Sequence, residues 1–545
     1  MIIGNGLSLE LGKYQTQVDL RLRRLQNRNF AVRLWNKEAR LWIRKKNTPV
    51  QSEISGISLG WLNVVSKMQK ALPALENFSE TIIKEGFEYA VLLGMGGSSM
   101  APFVFQEVFK SSAKGIKLIV LDTTEAAAIL KAESKIDLSK TLFIVSSKSG
   151  NTAEVILLYK YFLNLVSKEK KENPGKNFIA ITDEGSPLAQ LAAQNNFRKT
   201  FINFSDIGGR FSALSYFGLV PAALMGVNVN ELLKRTQLMI EACGPEVPVA
   251  QNPGMILGAT IAELALSGYN KLTYLMPPSL EAFGTWLEQL IAESTGKNGK
   301  GILPLNGSPL AEINSYGKDR LFFQMGFLKE KEDLHSEKVK NILSIKFPVI
   351  DILIENELDM GAEFFRWEMA TVVAGSILGI NPFNQPNVEE SKKCTTELLR
   401  KTISNGKFPV ISAALTENKI RYYAAEKVTD GKSLLEHLFS TVKPGDFAVL
   451  QVYLPEEPEV IDCLQEIQIS LQKTLNIAVC IQFGPRYLHS TGQYHKGGPN
   501  NGHFIQLMCD AEKDLPIPGE SYTFSTLKKA QASGDMQALI KYNRK

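Results

Sequence analysis

Apolar positions first recur at helical spacing. Leu20, Leu22, Leu25, Phe30, Leu34, Leu41 and Trp42 stand among many charges, so residues 1 to about 75 read as amphipathic helices with a solvated, lysine- and arginine-bearing face. From Tyr89 the pattern changes to short apolar runs of strand length. Tyr89-Ala-Val-Leu-Leu, Lys117-Leu-Ile-Val-Leu-Asp, Thr141-Leu-Phe-Ile-Val-Ser and Asn177-Phe-Ile-Ala-Ile-Thr are separated by helical stretches, the first from about Ala101 to Phe109. Strands alternating with helices predict right-handed βαβ units and a parallel sheet.

The pattern then repeats. From near Pro253, Lys271-Leu-Thr-Tyr-Leu-Met, Arg320-Leu-Phe-Phe-Gln-Met and Pro348-Val-Ile-Asp-Ile-Leu-Ile read as strands, with helices over Glu281 to Ala292 and Ala362 to Leu378. A smaller third part follows about Pro409, with strands Phe447-Ala-Val-Leu-Gln-Val-Tyr and Asn476-Ile-Ala-Val-Cys-Ile around a helix from about Glu457 to Lys473. The expected architecture is α/β: a helical segment over 1–75, doubly wound parallel-sheet domains over 76–245 and 246–408, and a C-terminal α/β part over 409–545.

Two loops fall at carboxyl ends of predicted strands, where such sheets bind ligands. After Ile144-Val, the chain reads Ser146-Ser-Lys-Ser-Gly-Asn-Thr152 and enters a helix. Free backbone N–H groups at a helix N-terminus, hydroxyl donors and one lysine form an anion site. Ordinary capping needs one such side chain; five hydroxyl or amide groups plus Lys148 predict a phosphate. Gly94-Met-Gly-Gly-Ser-Ser99 suits a backbone that must approach a ligand closely. It lacks the third glycine of a dinucleotide fingerprint, and Gly296-Lys-Asn-Gly-Lys-Gly301 is not a P-loop. No cofactor is predicted.

Composition narrows the class. The 545 residues exceed one ordinary core, and 44% apolar with 21% charged residues is average for a globular protein. The net charge of +5 is spread along the chain, with no basic tract carrying interleaved aromatics, so no nucleic acid partner is expected. Five scattered cysteines without a C-x-x-C pair argue against a disulfide framework or a zinc site. No apolar run approaches the ~20 residues of a membrane span, and Met1 to Lys13 lacks a signal-peptide core, so a cytoplasmic protein is expected.

Gly94-Met-Gly-Gly-Ser98 and Ser147-Lys-Ser-Gly-Asn-Thr152 resemble the two sugar-phosphate loops of sugar isomerase (SIS) domains. Gly208-Gly-Arg-Phe-Ser212, Glu293-Ser-Thr-Gly-Lys297 and Asn381-Pro-Phe-Asn-Gln-Pro-Asn-Val-Glu-Glu-Ser-Lys392 narrow the likeness to the glucose-6-phosphate isomerase family, in the family's order. Gly484-Pro-Arg-Tyr-Leu-His-Ser-Thr-Gly-Gln-Tyr-His-Lys-Gly-Gly498 is similar to the isomerase half of bifunctional transaldolase–phosphoglucose isomerases. The chain has no room for the ~250 residues of a transaldolase barrel.

The resemblance implies two SIS-type domains, interconversion of glucose 6-phosphate and fructose 6-phosphate without a cofactor or metal, and a homodimer. It makes Glu293 the base at the sugar carbons, Arg210 the holder of the enediolate charge, and Lys392 the group at the ring oxygen. Gln385, with Gly97, Ser98, Ser147, Lys148, Ser149 and Thr152, would bind the phosphate. The family's ring-opening histidine normally follows the glutamate in a G-T-N-G-Q-H segment, which this chain lacks. Between Glu293 and Lys392 only His335 occurs, in a charged stretch. Three of the five histidines lie at His489, His495 and His503, and Ser490-Thr-Gly-Gln-Tyr-His495 is reminiscent of the missing segment. The C-terminal part is therefore expected to fold back and supply the imidazole, His495 ahead of His489. The competing readings are a SIS-type sugar-phosphate sensor without catalysis, an amidotransferase (for which no N-terminal cysteine exists), and an isomerase that also accepts mannose 6-phosphate.

Overall fold

The computed structural model describes residues 2–3, 6–43, 57–110, 114–170, 172–328, 341, 343–409, 412–424 and 429–545. In chain order their strands are β1 (Ile2–Ile3), β2 (Leu7–Glu10), β3 (Tyr89–Gly94), β4 (Lys117–Leu121), β5 (Thr141–Ser146), β6 (Phe178–Asp183), β7 (Lys199–Asn203), β8 (Lys271–Leu275), β9 (Leu303–Leu305), β10 (Arg320–Phe327), β11 (Val349–Ile354), β12 (Leu415–Glu417), β13 (Ile420–Tyr422), β14 (Phe447–Tyr453), β15 (Ala478–Phe483) and β16 (Gly502–Met508).

Three parallel sheets share one winding rule. The first runs β4-β3-β5-β6-β7, the second β9-β8-β10-β11 with β2 and β1 added antiparallel at the β11 edge, and the third β15-β14-β16. Each starts in its middle, steps to one side, then crosses to the other. In the first sheet the crossing falls between β3 and β5, paired from Tyr89–Thr141 to Gly94–Ser146, so a crevice opens beyond Gly94 and Ser146. All six residues of β5 are buried, as a strand covered on both faces requires.

The N-terminal stretch departs from the all-helical expectation. Leu7, Leu9 and Leu11 are buried with Ser8 and Glu10 between them, a period of two that seats β2 against β11. Three predicted strand starts also shift, β11 by one residue to Val349. Asn177 stays outside β6 because its side-chain amide donates to the Leu138 and Thr141 carbonyls. Asn476, at φ +53°, ends the Pro458–Leu475 helix in the left-handed region, so β15 begins only at Ala478. Strands β7, β9, β12, β13 and β16 were not expected; β9, β12 and β13 are too short to stand out as apolar runs.

The C-terminal segment returns to the first sheet. Its last helix, Phe524–Lys541, packs so closely on Val388–Asn405 that a Cβ on Gly534 would meet Thr395 Oγ1 at 2.6 Å. Among the described residues no helix is long and apolar enough to cross a membrane.

Candidate active site

The crevice is built around two glycines. Gly96 has φ +55°, and a Cβ there would meet Gln289 Nε2 at 2.9 Å and the His489 carbonyl at 3.0 Å. A Cβ on Gly97 would lie 2.1 Å from the Gly209 carbonyl. Three remote segments thus converge on the β3 turn: the Gly209–Arg210 turn, the Glu281–Thr295 helix and the His489 turn. Ser98 is buried, and its carbonyl accepts Ser146 Oγ at 3.0 Å, closing the β3 turn onto β5.

Beyond β5, Ser147 Oγ and Thr152 Oγ1 are 2.9 Å apart, and Ser147 Oγ accepts the Gly150 N–H at 3.1 Å. Gly150 has φ +72°, which this turn requires. Thr152 stands at the N-cap of the Ala153–Glu169 helix, yet its hydroxyl makes no capping bond, leaving first-turn N–H groups for a ligand. Ser149 Oγ is held by Asn151 Oδ1. Lys148 is tied to Asp183 in a tight ion pair and donates to the Ser205 carbonyl.

Opposite this turn, Arg210 and Glu293 form a buried pair, Nη1 to Oε2 2.9 Å, with side chains 3% and 8% exposed. All five guanidinium N–H groups have acceptors: Nε and Nη2 reach the Pro382 carbonyl, Nη2 the Asn384 carbonyl, and Nη1 Gln385 Oε1 at 3.0 Å. Glu293 sits on the last turn of its helix, and Lys297 follows it. Lys297 donates to the Asn381 carbonyl at 2.6 Å; burial, with Arg210 beside it, pushes its ammonium well below the usual lysine range despite Glu293.

The two predicted histidines have opposite surroundings. His489 is 19% exposed, and its Nε2 faces Glu154 Oε1 at 3.0 Å. Burial alone would raise the Glu154 carboxyl; the charge and hydrogen bond of His489 more than offset this and hold it below the usual range. His495 is 1% exposed, against Tyr487 and Phe504, with Nδ1 3.5 Å from Gln451 Nε2 and no partner at Nε2. Burial, with Lys496 next, lowers its pKa to about 3. No bond joins His495 to Glu293, Arg210 or the anion turn. Lys392 is exposed and paired with Glu389 at 2.9 Å, although its charge bears on Glu154. His335 lies outside the described residues.

One unpredicted side chain ties the site together. Gln289 Nε2 donates to Glu293 Oε2 at 3.3 Å and to the His489 carbonyl at 2.9 Å. From Thr152 the connection runs through Glu154, two residues on, to His489, Gln289, Glu293 and Arg210. Anion turn and buried carboxylate therefore border one crevice. Gln289 is detectable in principle, one helical turn before Glu293 on the same face. Glu154 had a weaker signal, an acid in a helix's first turn, which usually reads as dipole compensation. Gln493, whose amide bonds Gly296, Asn387 Oδ1 and the Asn387 N–H, stitches the end of the Glu281–Thr295 helix to the loop around Arg210. Among the described residues no group of three His, Cys, Asp or Glu is arranged to hold a metal.

Fold and crevice define the class: a doubly wound α/β protein with a candidate ligand site at a topological switch point, lined by the Ser147–Thr152 turn and a carboxylate–guanidinium pair. The phosphoglucose isomerase family model matches residues 49–303. A glucose-6-phosphate isomerase of Parabacteroides distasonis is 30% identical over 392 residues, covering 63% of this chain and 87% of its own length. One of Methanocaldococcus jannaschii is 29% identical over 362 residues, covering 60% and 88%. In structure, a glucose-6-phosphate isomerase of Chlamydia trachomatis superposes with a TM-score of 0.58 at 19% identity, covering 74% of this chain and 90% of its own. A hypothetical protein of Thermus thermophilus gives 0.59 at 22%, covering 72% and 99%. The chain belongs to the phosphoglucose isomerase family.

Proposed function

We propose that this enzyme interconverts glucose 6-phosphate and fructose 6-phosphate by ring opening and proton transfer through an enediol. The observation that carries the reading is that Glu154, two residues beyond the Ser147–Thr152 turn, faces His489, whose carbonyl shares Gln289 with the Glu293–Arg210 pair. A phosphate in the turn would receive N–H and hydroxyl donors from residues 147 to 152, with Ser98 and Gly97 alongside and Gln385 across the crevice.

In ring opening the C1–O5 bond breaks, the ring oxygen gains a proton and the C1 hydroxyl loses one. His489 serves this step, Glu154 stabilising its imidazolium; this reverses the preference for His495, whose ring is buried against Tyr487 and Phe504. Lys392 assists at the ring oxygen once its ammonium leaves Glu389. Glu293 then takes the C2 hydrogen of the open aldose as a proton and returns it to C1, the O2 proton passing to O1, while the positive charge of the fixed Arg210 guanidinium stabilises the enediolate. Within this proposal residues 409–545 supply the imidazole, and the enzyme is a cytoplasmic homodimer.

A coupled assay of fructose 6-phosphate with purified protein in chelator tests the reading. Turnover is expected; saturable binding with no turnover would leave a sugar-phosphate sensor.

A further inference from the structure

Three contacts dock the C-terminal segment on the loop after β4. Asp122 accepts Arg486 Nε and Nη2 at 3.0 and 3.1 Å, Thr124 Oγ1 donates to Gln531 Oε1 at 2.9 Å, and Glu125 pairs with Lys528 at 2.7 Å. Lys528, Gln531 and Asp535 share one face of the Phe524–Lys541 helix, and all three are buried. Lys528 and Asp535 end in ion pairs with Glu125 and Lys496. Gln531 differs, because its other end reaches the site. Its Nε2 donates at 2.7 Å to Glu154 Oε1, the same oxygen that faces His489 Nε2.

We infer that Gln531 is a positioning residue for ring opening, acting through Glu154 on His489. The Thr124 hydroxyl occupies the amide oxygen, so the amide must present its N–H to Glu154. The carboxylate is thereby aimed at Nε2, which must be the imidazole's donor, and the basic lone pair resides on Nδ1. The same bond draws charge from Glu154 and so limits how strongly it holds a proton on His489. Gln531 lies outside the 49–303 family match. The inference rests on the isomerase reading for its catalytic meaning, though not for the contact itself.

The test compares wild type with Gln531→Met, similar in shape without a donor, and with Thr124→Val. It reads kcat and KM on glucose 6-phosphate and on an acyclic sugar phosphate blocked from cyclising, and the His489 imidazole titration by NMR. For Gln531→Met, kcat on the cyclic substrate should fall about tenfold, less than the ~10²–10⁴ of losing an acid–base group outright. KM and acyclic turnover should hold. The His489 titration, and the pH limb it sets, should move up by roughly one unit. Thr124→Val should move both the same way by less, and carries the test alone if Gln531→Met does not fold. An unmoved titration, or equal losses on both substrates, overturns the role. Wild type that turns over neither substrate defeats the isomerase reading instead; the titration is read in either case.

Discussion

The crevice has two corners built on different principles. At the Arg210–Glu293 corner both side chains are almost wholly out of water and every guanidinium donor is used. At the His489–Glu154 corner the imidazole is 19% exposed and is held through a relay of amide and hydroxyl groups. The difference suits the two chemical tasks proposed for them. Charge on an enediolate is best met by a fixed opposite charge in a dry site, where electrostatic interactions are strong and need no reorganisation. Ring opening exchanges protons between oxygens, which suits a group near the solvent boundary whose proton affinity a neighbour adjusts.

The widest separation between the corners should come from Glu293→Gln, which keeps shape and the Gln289 contact while removing the proposed base. Turnover should fall by ~10³–10⁴ on cyclic and acyclic substrates alike, since every substrate needs the carbon proton moved. A stopped-flow coupled assay on both substrates measures this. Retention of acyclic turnover would place the base elsewhere.

His489→Ala should produce the complementary pattern. Loss on glucose 6-phosphate is expected at about 10²-fold, with no more than a few-fold loss on the acyclic substrate. Equal losses would make the two corners a single unit and remove the division of labour argued above.

The two corners also differed in how far the sequence revealed them. Arg210 and Glu293 each sit in a short run whose glycines and flanking residues resemble the family's. The anion turn was legible for the same reason, because hydroxyls, glycine and lysine act within seven residues. Gln531 has no such local signature. Its meaning depends on a partner 377 residues away, and in sequence it is one polar residue in a helix. The contrast between His489 and His495 was illegible on the same ground. Ser490-Thr-Gly-Gln-Tyr-His495 looks like the family segment, but a six-residue helix, Gly492–Gly497, turns His495 into the packing between β14 and β16 and leaves His489 at the crevice. Burial, a property of the tertiary fold, decided what spacing left open.

That burial gives the smallest and most specific test. His495 is pushed down to about 3 from an ordinary 6.5, first by burial and then by Lys496, with Asp535 opposing and Arg544 adding to the effect. Between those values the unfolded chain binds a proton that the folded chain refuses. Its contribution is therefore fully present above about pH 6.5 and is lost as pH falls toward 3, at roughly 1.4 kcal/mol per pH unit within the window. Urea unfolding at pH 7 and pH 5 should show wild type losing more stability than His495→Gln, by about one proton's worth of slope. If the His495→Gln slope equals that of wild type, its ring is charged in the folded protein, and it returns as a rival for the ring-opening role.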